Sequence, residues 1–336
     1  MKILSAYIEL TNRCNFNCRT CYNRSGLNRV TEELPIDVLI RTITRFQEYG
    51  AKSFLLSGGE TMMYSDIEAL FALAEKMPEV LFTISTNGTV KQSVLLDAYR
   101  RLSNLYVQIS LDGSCETVNA RTRGQENFGK TVMLLEGLRN SEQPGRYRLK
   151  MVVSKVNLFN IPAYFDFAFN YGCEPQFSFM NPLGNGGDHW SDMSLNSAEK
   201  MTALRLIDEA NKKYGTKIVL PFCAFSCPLA DDPNDVKLGC MVKANGEMMP
   251  CQGLYDGHYR LGNVYDFDEN EVIGNLRRLR EITQKRMQTD YECSKCILTS
   301  ICKRGCPASA ASMGDIFGSD GDCEFRLKHY LKYQLR

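Results

Sequence analysis

From residue 3 to about residue 180, short runs of β-branched, aromatic and aliphatic residues alternate with longer segments whose apolar positions recur at helical spacing. The short runs, Ile3 to Leu10, Ser53 to Leu56, Leu81 to Ser85, Leu105 to Leu111, Tyr147 to Val153 and Gln176 to Met180, predict six strands. Between them Pro35 to Tyr49, Ser65 to Met77, Ser93 to Leu102, Phe128 to Asn140 and Ile161 to Tyr171 predict helices, several opening on start signals such as Ser65-Asp66. Repeated β-α units imply a parallel sheet with right-handed crossovers. Six units fall short of an eight-stranded closure, so the expected fold class is α/β, a curved, open, TIM-like partial (β/α)6 barrel with ligands at the C-terminal strand ends.

The pattern then changes. Asn181 to Asp192 is rich in Gly, Asn and Asp and predicts a loop, and Ser197 to Tyr214 predicts a bridging helix. A boundary near Gly215 divides the chain into 1–215, the barrel, and 216–336, a smaller module. In that module Leu238 to Cys251 predicts a hairpin turning at Asn245-Gly246, followed by cysteine-rich loops and a terminal helix. No internal repeat or low-complexity tract is present.

Composition narrows the function. The 336 residues carry 40 Lys plus Arg against 39 Asp plus Glu, so no whole-protein field draws nucleic acid or an anionic membrane. No apolar run approaches the roughly 20 residues of a spanning helix, and the opening residues read as a strand rather than a signal peptide, so the expected location is the cytoplasm. Fourteen cysteines are many for such a chain, and a reducing compartment keeps them as thiols unless metal or catalysis uses them. Twelve of them fall at the N-terminus (Cys14, Cys18, Cys21) and between Cys223 and Cys323, which implies two metal-rich regions.

Cys14, Cys18 and Cys21 form C-x3-C-x2-C in the polar loop after the first strand. Three soft thiolates suit iron-sulfur or zinc; on a 4Fe-4S cluster they leave one iron open to an exogenous ligand, whereas structural zinc wants a fourth protein ligand that is missing nearby. The stretch CNFNCRTCY resembles the signature of radical S-adenosylmethionine (SAM) enzymes, in which an aromatic residue, here Tyr22, follows the last cysteine. Ser57-Gly58-Gly59-Glu60, ending the second strand, resembles the family's SAM amino-group element, with glycines that let backbone approach the ligand. Thr86-Asn87-Gly88 and Ser110-Leu111-Asp112-Gly113 end the next two strands. The resemblance makes Ser110 and Asp112 candidates for the SAM ribose or carboxylate region and places Val153 beside the adenine. Thr61-Met62-Met63 departs from the Pro-Leu of many relatives.

Cys293, Cys296, Cys302 and Cys306 form C-x2-C-x5-C-x3-C, with Cys323 after them and Gly246 five residues before Cys251. This is similar to the SPASM extension of radical SAM enzymes, which carries two auxiliary 4Fe-4S clusters. The resemblance assigns Cys293, Cys296, Cys302 and Cys323 to one cluster and sends Cys306 to the other with Cys251. Its remaining two ligands come from Cys223, Cys227 and Cys240, with Cys227 and Cys240 favoured; zinc knuckles are the alternative for the paired cysteines. Cys115 and Cys173 read as buried free thiols. The spare thiol, Cys223, is a candidate hydrogen-atom donor to a substrate radical.

The resemblance implies a radical enzyme with SAM and three 4Fe-4S clusters, one SAM-binding and two auxiliary, served by a flavodoxin- or ferredoxin-type reductant. The expected substrate is a peptide or protein, giving a crosslinked, epimerised or oxidised residue; the alternatives are dehydrogenation or epimerisation of a small polar metabolite such as an aminosugar, and a non-enzymatic metal protein. Gln252 after Cys251 and Cys302 each depart from known subfamilies, the sulfatase-maturing and pyrroloquinoline quinone relatives. The early position of the first motif leaves no upstream winged peptide-binding domain, so a leader peptide is expected to dock elsewhere.

Overall fold

The computed structural model describes residues 1–26, 31–141, 143, 145–221, 227–288 and 291–333. Strands β1 (Lys2–Thr11), β2 (Ser53–Gly58), β3 (Leu81–Thr86), β4 (Leu105–Ser110), β5 (Tyr147–Val153) and β6 (Glu174–Phe179) pair in parallel, each with its sequence neighbour. Helices α1 (Ile36–Glu48), α2 (Ile67–Lys76), α3 (Gln92–Arg101), α4 (Glu116–Arg123), α5 (Asn127–Arg139) and α6 (Ile161–Asn170) make the crossovers. The partial TIM-like barrel is thus present, with helix α4 added where the sequence predicts none.

Alternation along each strand separates two faces. On β5, Tyr147, Leu149, Met151 and Val153 are buried in the core while Arg148, Lys150 and Val152 are half-buried. Phe177, in register with Met151, stacks on Phe165 of α6, which fixes the buried set as the helix-facing one. The opposite face carries Tyr7, Glu9, Thr83, Ser85, Gln108, Ser110 and Lys150. Parallel sheets are usually apolar on both faces; this polar lining marks a cavity rather than a second core.

The predicted loop at 181–192 contains two short helices, α7 (Gly184–Asp188) and α8 (Trp190–Met193). Helix α9 (Ser197–Tyr214) opens on a capping box between Asn196 and Glu199 and ends at left-handed Gly215. The hairpin forms as β7 (Lys237–Val242) and β8 (Glu247–Met249), joined by a short β9 (Gly262–Asn263). Strand β7 also pairs in parallel with β1, so one nine-stranded sheet, β6-β5-β4-β3-β2-β1-β7-β8-β9, runs through both parts of the chain. The 20-residue α10 (Glu269–Gln288) had no sequence signal because of its high charge; it buries Val272, Leu276, Leu279 and Thr283 as one stripe. Short helices α11 (Tyr291–Ser294), α12 (Thr299–Cys302) and α13 (Pro307–Ser312) carry the late cysteines, and α14 (Cys323–Tyr333) closes the chain. No described helix is long and apolar enough to cross a membrane.

Candidate active site

The loop bearing Cys14, Cys18 and Cys21 leaves the C-terminal end of β1 and is held from four other strand ends. After β2, the Gly59 and Glu60 amides donate to the Thr11 and Arg13 carbonyls, each at 2.7 Å. After β3, the Asn87 side-chain Nδ2 donates to Asn15 Oδ1 at 2.9 Å. After β4, the Arg19 N–H reaches the Thr122 carbonyl at 2.8 Å. After β6, Asn185 donates to the Cys18 carbonyl at 2.9 Å and Gly186 N–H to the Cys21 carbonyl at 3.2 Å. A cysteine loop without regular structure is thereby fixed by main-chain bonds and by two asparagine side chains, as a site that positions ligands must be.

The two glycines of Ser57-Gly58-Gly59-Glu60 serve this grip. A Cβ on Gly58 or Gly59 would stand 2.1 Å from the Thr11 or Arg13 carbonyl oxygen, so the close approach they permit is to the cysteine loop, where the sequence predicted an approach to ligand. Gly184 is similar, its Cβ position lying 2.3 Å from the Tyr22 carbonyl, which explains part of the Gly-rich 181–192 stretch. Glu60 is buried and its carboxylate accepts from Thr86 Oγ1 (2.5 Å), Asn87 N–H (2.7 Å) and Met62 N–H (3.0 Å). Burial pushes its carboxyl pKa up although these bonds pull the other way. Thr86 and Asn87 thus join Glu60 in a frame behind the cysteines.

Asp112 is fully buried. It accepts from Val152 N–H at 2.8 Å and lies 3.0 Å from Arg123 Nε, so it ties β4, β5 and α4 together and is not placed to touch a ligand. The SAM-contact expectation for Asp112 is corrected accordingly. Ser110 is half-buried on the cavity face, and Ser57 lies beside Glu9 in register. The expectation for Val153 is displaced by one residue: its side chain belongs to the helix-facing core, and Val152 faces the cavity. Arg123 carries no sequence motif that would have flagged it; only the fold brings it to the cysteine loop.

A second buried carboxylate, Glu9, lies on the cavity face. Tyr22 and Asn23 donate to Oε1 at 2.8 and 3.0 Å, and Tyr255 donates to Oε2 at 2.7 Å. The Tyr7 and Tyr22 hydroxyls are 2.6 Å apart. Burial, then the Glu9 charge, pushes both phenols' pKa up, so they stay protonated. Tyr22 follows Cys21 and Tyr255 follows Cys251 by four residues, so Glu9 joins the N-terminal cysteine loop to the C-terminal module.

The thiols fall into three sets. Burial raises the Cys14 pKa to about 12, with Glu60, Cys18 and Cys21 adding to it. Cys18 rises to about 11 through burial, moderated by Arg123. Burial takes Cys251 to about 12, with Cys306 and Cys227 contributing. Cys323 is raised by burial and by Cys296 and Cys302. Cys293 and Cys296 share a turn in which the Cys296 N–H donates to the Cys293 carbonyl at 3.2 Å. Cys240 differs: burial alone raises it to about 12, and its strand partner Ala6 puts it on the helix-facing side of β7. The expectation that Cys240 joins Cys227, Cys251 and Cys306 is therefore corrected, because strand alternation turns its thiol into the core. Cys223 lies outside the described residues. Cys173 is buried as expected, whereas Cys115 is exposed at the start of α4.

Among the described residues no group of three or more His, Cys, Asp or Glu side chains is drawn in closely enough for a single metal ion. Cys14, Cys18 and Cys251, whose pKa values are raised by burial, would be protonated as free thiols at neutral pH, so ligation by them must displace protons.

Residues 8–164 match the profile of the Radical SAM superfamily, and the chain carries a radical SAM domain. Among curated proteins, the Fe-coproporphyrin III synthase of Methanosarcina barkeri is 30% identical over 211 residues, 62% of this chain; the match spans about half, 52%, of that enzyme's length. The mycofactocin maturase MftC of Mycolicibacterium smegmatis is 25% identical over 323 residues, covering 94% of this chain and 81% of MftC. Among solved structures, Streptococcus suis SuiB bound to S-adenosylmethionine superposes with a TM-score of 0.77 at 15% identity, over 95% of this chain and 76% of SuiB. Native anSMEcpe with bound AdoMet gives 0.74 at 20% identity, over 98% of both chains. The two superpositions establish the fold, a radical SAM partial barrel followed by a C-terminal module.

Proposed function

We propose that the protein is a radical SAM enzyme that modifies a peptide or protein, with Cys14, Cys18 and Cys21 holding a SAM-binding 4Fe-4S cluster. The observation that carries this reading is the cysteine loop held from four strand ends at the mouth of a polar-lined barrel. When bound, the reduced cluster and SAM supply a 5′-deoxyadenosyl radical. The chain's own part is to orient and to exclude water: Ser57, Ser110 and Val152 border the SAM position, Tyr22 flanks it, and Glu60, Thr86 and Asn87 hold the loop from behind.

The C-terminal thiols extend the reading. Cys293, Cys296, Cys302 and Cys323 hold one auxiliary cluster, and Cys227, Cys251 and Cys306 supply three ligands of another. Such clusters would take an electron from a substrate radical, giving an oxidised or crosslinked residue. The similarity to MftC, called a mycofactocin maturase, over 94% of this chain and 81% of MftC favours a peptide substrate, and solved neighbours include SuiB bound to precursor peptide SuiA. A small-molecule substrate is the second reading, favoured by the 30% identity to Fe-coproporphyrin III synthase.

Anaerobic reconstitution tests it. About twelve irons per chain and conversion of SAM to 5′-deoxyadenosine are expected. Replacing Cys14, Cys18 and Cys21 together by Ala should abolish cleavage and leave about two thirds of the iron; zinc with little iron, or undiminished cleavage, would refute the site. Mass change in a short peptide encoded beside the gene separates the peptide reading from the small-molecule one.

A further inference from the structure

Two cysteines compete for one place in the late thiol set. Cys306 lies four residues after Cys302 and Cys323 twenty-one residues after it, so closure of the shorter loop favours Cys306 as the fourth partner of Cys293, Cys296 and Cys302. The fold runs against that preference. From Cys302, which ends α12, to Cys306, which caps α13, the chain passes through three successive left-handed residues, Lys303, Arg304 and Gly305, with φ of 48°, 62° and 76°. Residues other than glycine keep that conformation only where their surroundings hold them. Fully buried Arg286 of α10 donates to the Arg304 and Gly305 carbonyls at 3.3 and 3.4 Å. Lys303 donates to the carbonyl of Ala230, three residues after Cys227, at 2.7 Å. A Cβ on Gly253, two residues after Cys251, would stand 2.5 Å from Ala308 Cβ in α13. The strap between Cys302 and Cys306 thereby lies against the loops of Cys227 and Cys251. One buried carboxylate meets the chain at both competitors. Asp320, 4% exposed, accepts the Cys306 N–H on Oδ2 at 2.7 Å and, on Oδ1 at 3.2 Å, the N–H of Asp322, the residue before Cys323. Arg326 of α14 balances its charge, donating to the two oxygens at 2.8 and 2.5 Å.

We propose that Asp320, balanced by Arg326, is a positioning residue that sorts these two thiols, holding Cys306 with Cys227 and Cys251 and leaving the place beside Cys293, Cys296 and Cys302 to Cys323. The inference rests on the reading that the C-terminal thiols hold two iron-sulfur clusters, and it adds what keeps their ligands apart. The carboxylate cannot swing away, because doing so strands two main-chain N–H groups and a guanidinium in the interior. Without it the Cys306 peptide is released to its chain neighbours. The late set then closes through Cys306, Cys323 is left out, and the other set, short of Cys306, loses its iron.

The test is alkylation of the anaerobically reconstituted full chain with N-ethylmaleimide, read by peptide mass mapping beside iron counts, with exposed Cys115 as the internal labelling control. Wild type should protect both Cys306 and Cys323. The double variant Asp320→Ala/Arg326→Met removes both charges together, so that neither is left buried alone. Its iron should fall from about twelve to about eight per chain. Cys323, Cys227 and Cys251 should become labelled while Cys306 stays protected with Cys302. Labelling of Cys306 with Cys323 still protected would overturn the proposal, since Asp320 would then only support Cys306 and not sort it. An unchanged pattern would overturn it too. If the double variant loses iron from both C-terminal sets, Gly305→Ala decides: its Cβ would stand 2.3 Å from Asp320 Oδ2 and spread the same contact with the charges intact. Any result there except a labelled Cys323 beside a protected Cys306 overturns the proposal. Wild-type protein that holds about four irons, or that labels both cysteines, removes the two-cluster reading itself and is distinguished by that control from a failure of the sorting.

Discussion

Gly59 shows how one missing methyl group decides the site. Alanine there must push a carbon into the Arg13 carbonyl, where the nearest approach would be 2.1 Å against main chain that cannot swing aside. Gly59→Ala should cost about 1–3 kcal/mol or more in urea unfolding of the iron-free protein, and should lower N-terminal iron while sparing the C-terminal sets. Equal loss from all three sets would point to global misfolding instead. The Gly-Gly-Glu element was legible in sequence as part of a site, but its partner was not: from sequence the glycines face a ligand, and in three dimensions they face the loop beside it. Asp112 shifted in the same way, from a ligand candidate to an internal counter-charge, because nothing local to Ser110-Leu111-Asp112-Gly113 announces an arginine eleven residues later.

The β7-β8 hairpin carries its own electrostatics. Its turn at Asn245-Gly246 was readable from the Asn-Gly pair, and Gly246 is left-handed with φ 86° as such a turn requires. Across the turn Lys243 Nζ pairs with Glu247 at 2.6 Å and lies 4.5 Å above the Tyr255 ring. Lys243 holds the Glu247 carboxyl below its ordinary 4.5, although burial opposes this. A depressed acid contributes stability above its unfolded value and loses it as pH falls through the lower folded value. Lys243→Met should therefore reduce stability by about 0.5–1 kcal/mol at neutral pH, solvent screening keeping the effect small. The difference from wild type should shrink as pH is lowered below 4.5, measured by urea midpoints across pH. Helix α10 is the contrasting case, since its charged sequence hides a four-residue stripe that only the opposing hairpin and cysteine loops reveal as buried.

At the scale of the whole molecule, two connections join barrel and module beside the Glu9–Tyr255 bond. Strand β7 continues the barrel sheet through β1, and Lys200 of α9 reaches α14. Lys200 is buried, pairs with Asp322 and stands over the rings of Phe179 and Phe325 at 5.2 and 5.8 Å. Lys200→Ala should destabilise the protein by about 1–3 kcal/mol and expose α14 to limited proteolysis before the barrel. Simultaneous cleavage of both would show that the clip does not hold α14. The sequence by itself determined the six β-α units, the hairpin and the cysteine spacings, because periodicity, turn residues and short ligand motifs are local properties of a chain. Which thiols face one another, which carboxylates turn inward and which glycines meet main chain were decided only by the tertiary structure. Cys240 and Cys251 differ in surroundings because one strand's alternation turns the Cys240 thiol into the core, whereas Cys251, in the loop after β8, feels Cys306 and Cys227, a distinction that spacing along the chain does not contain.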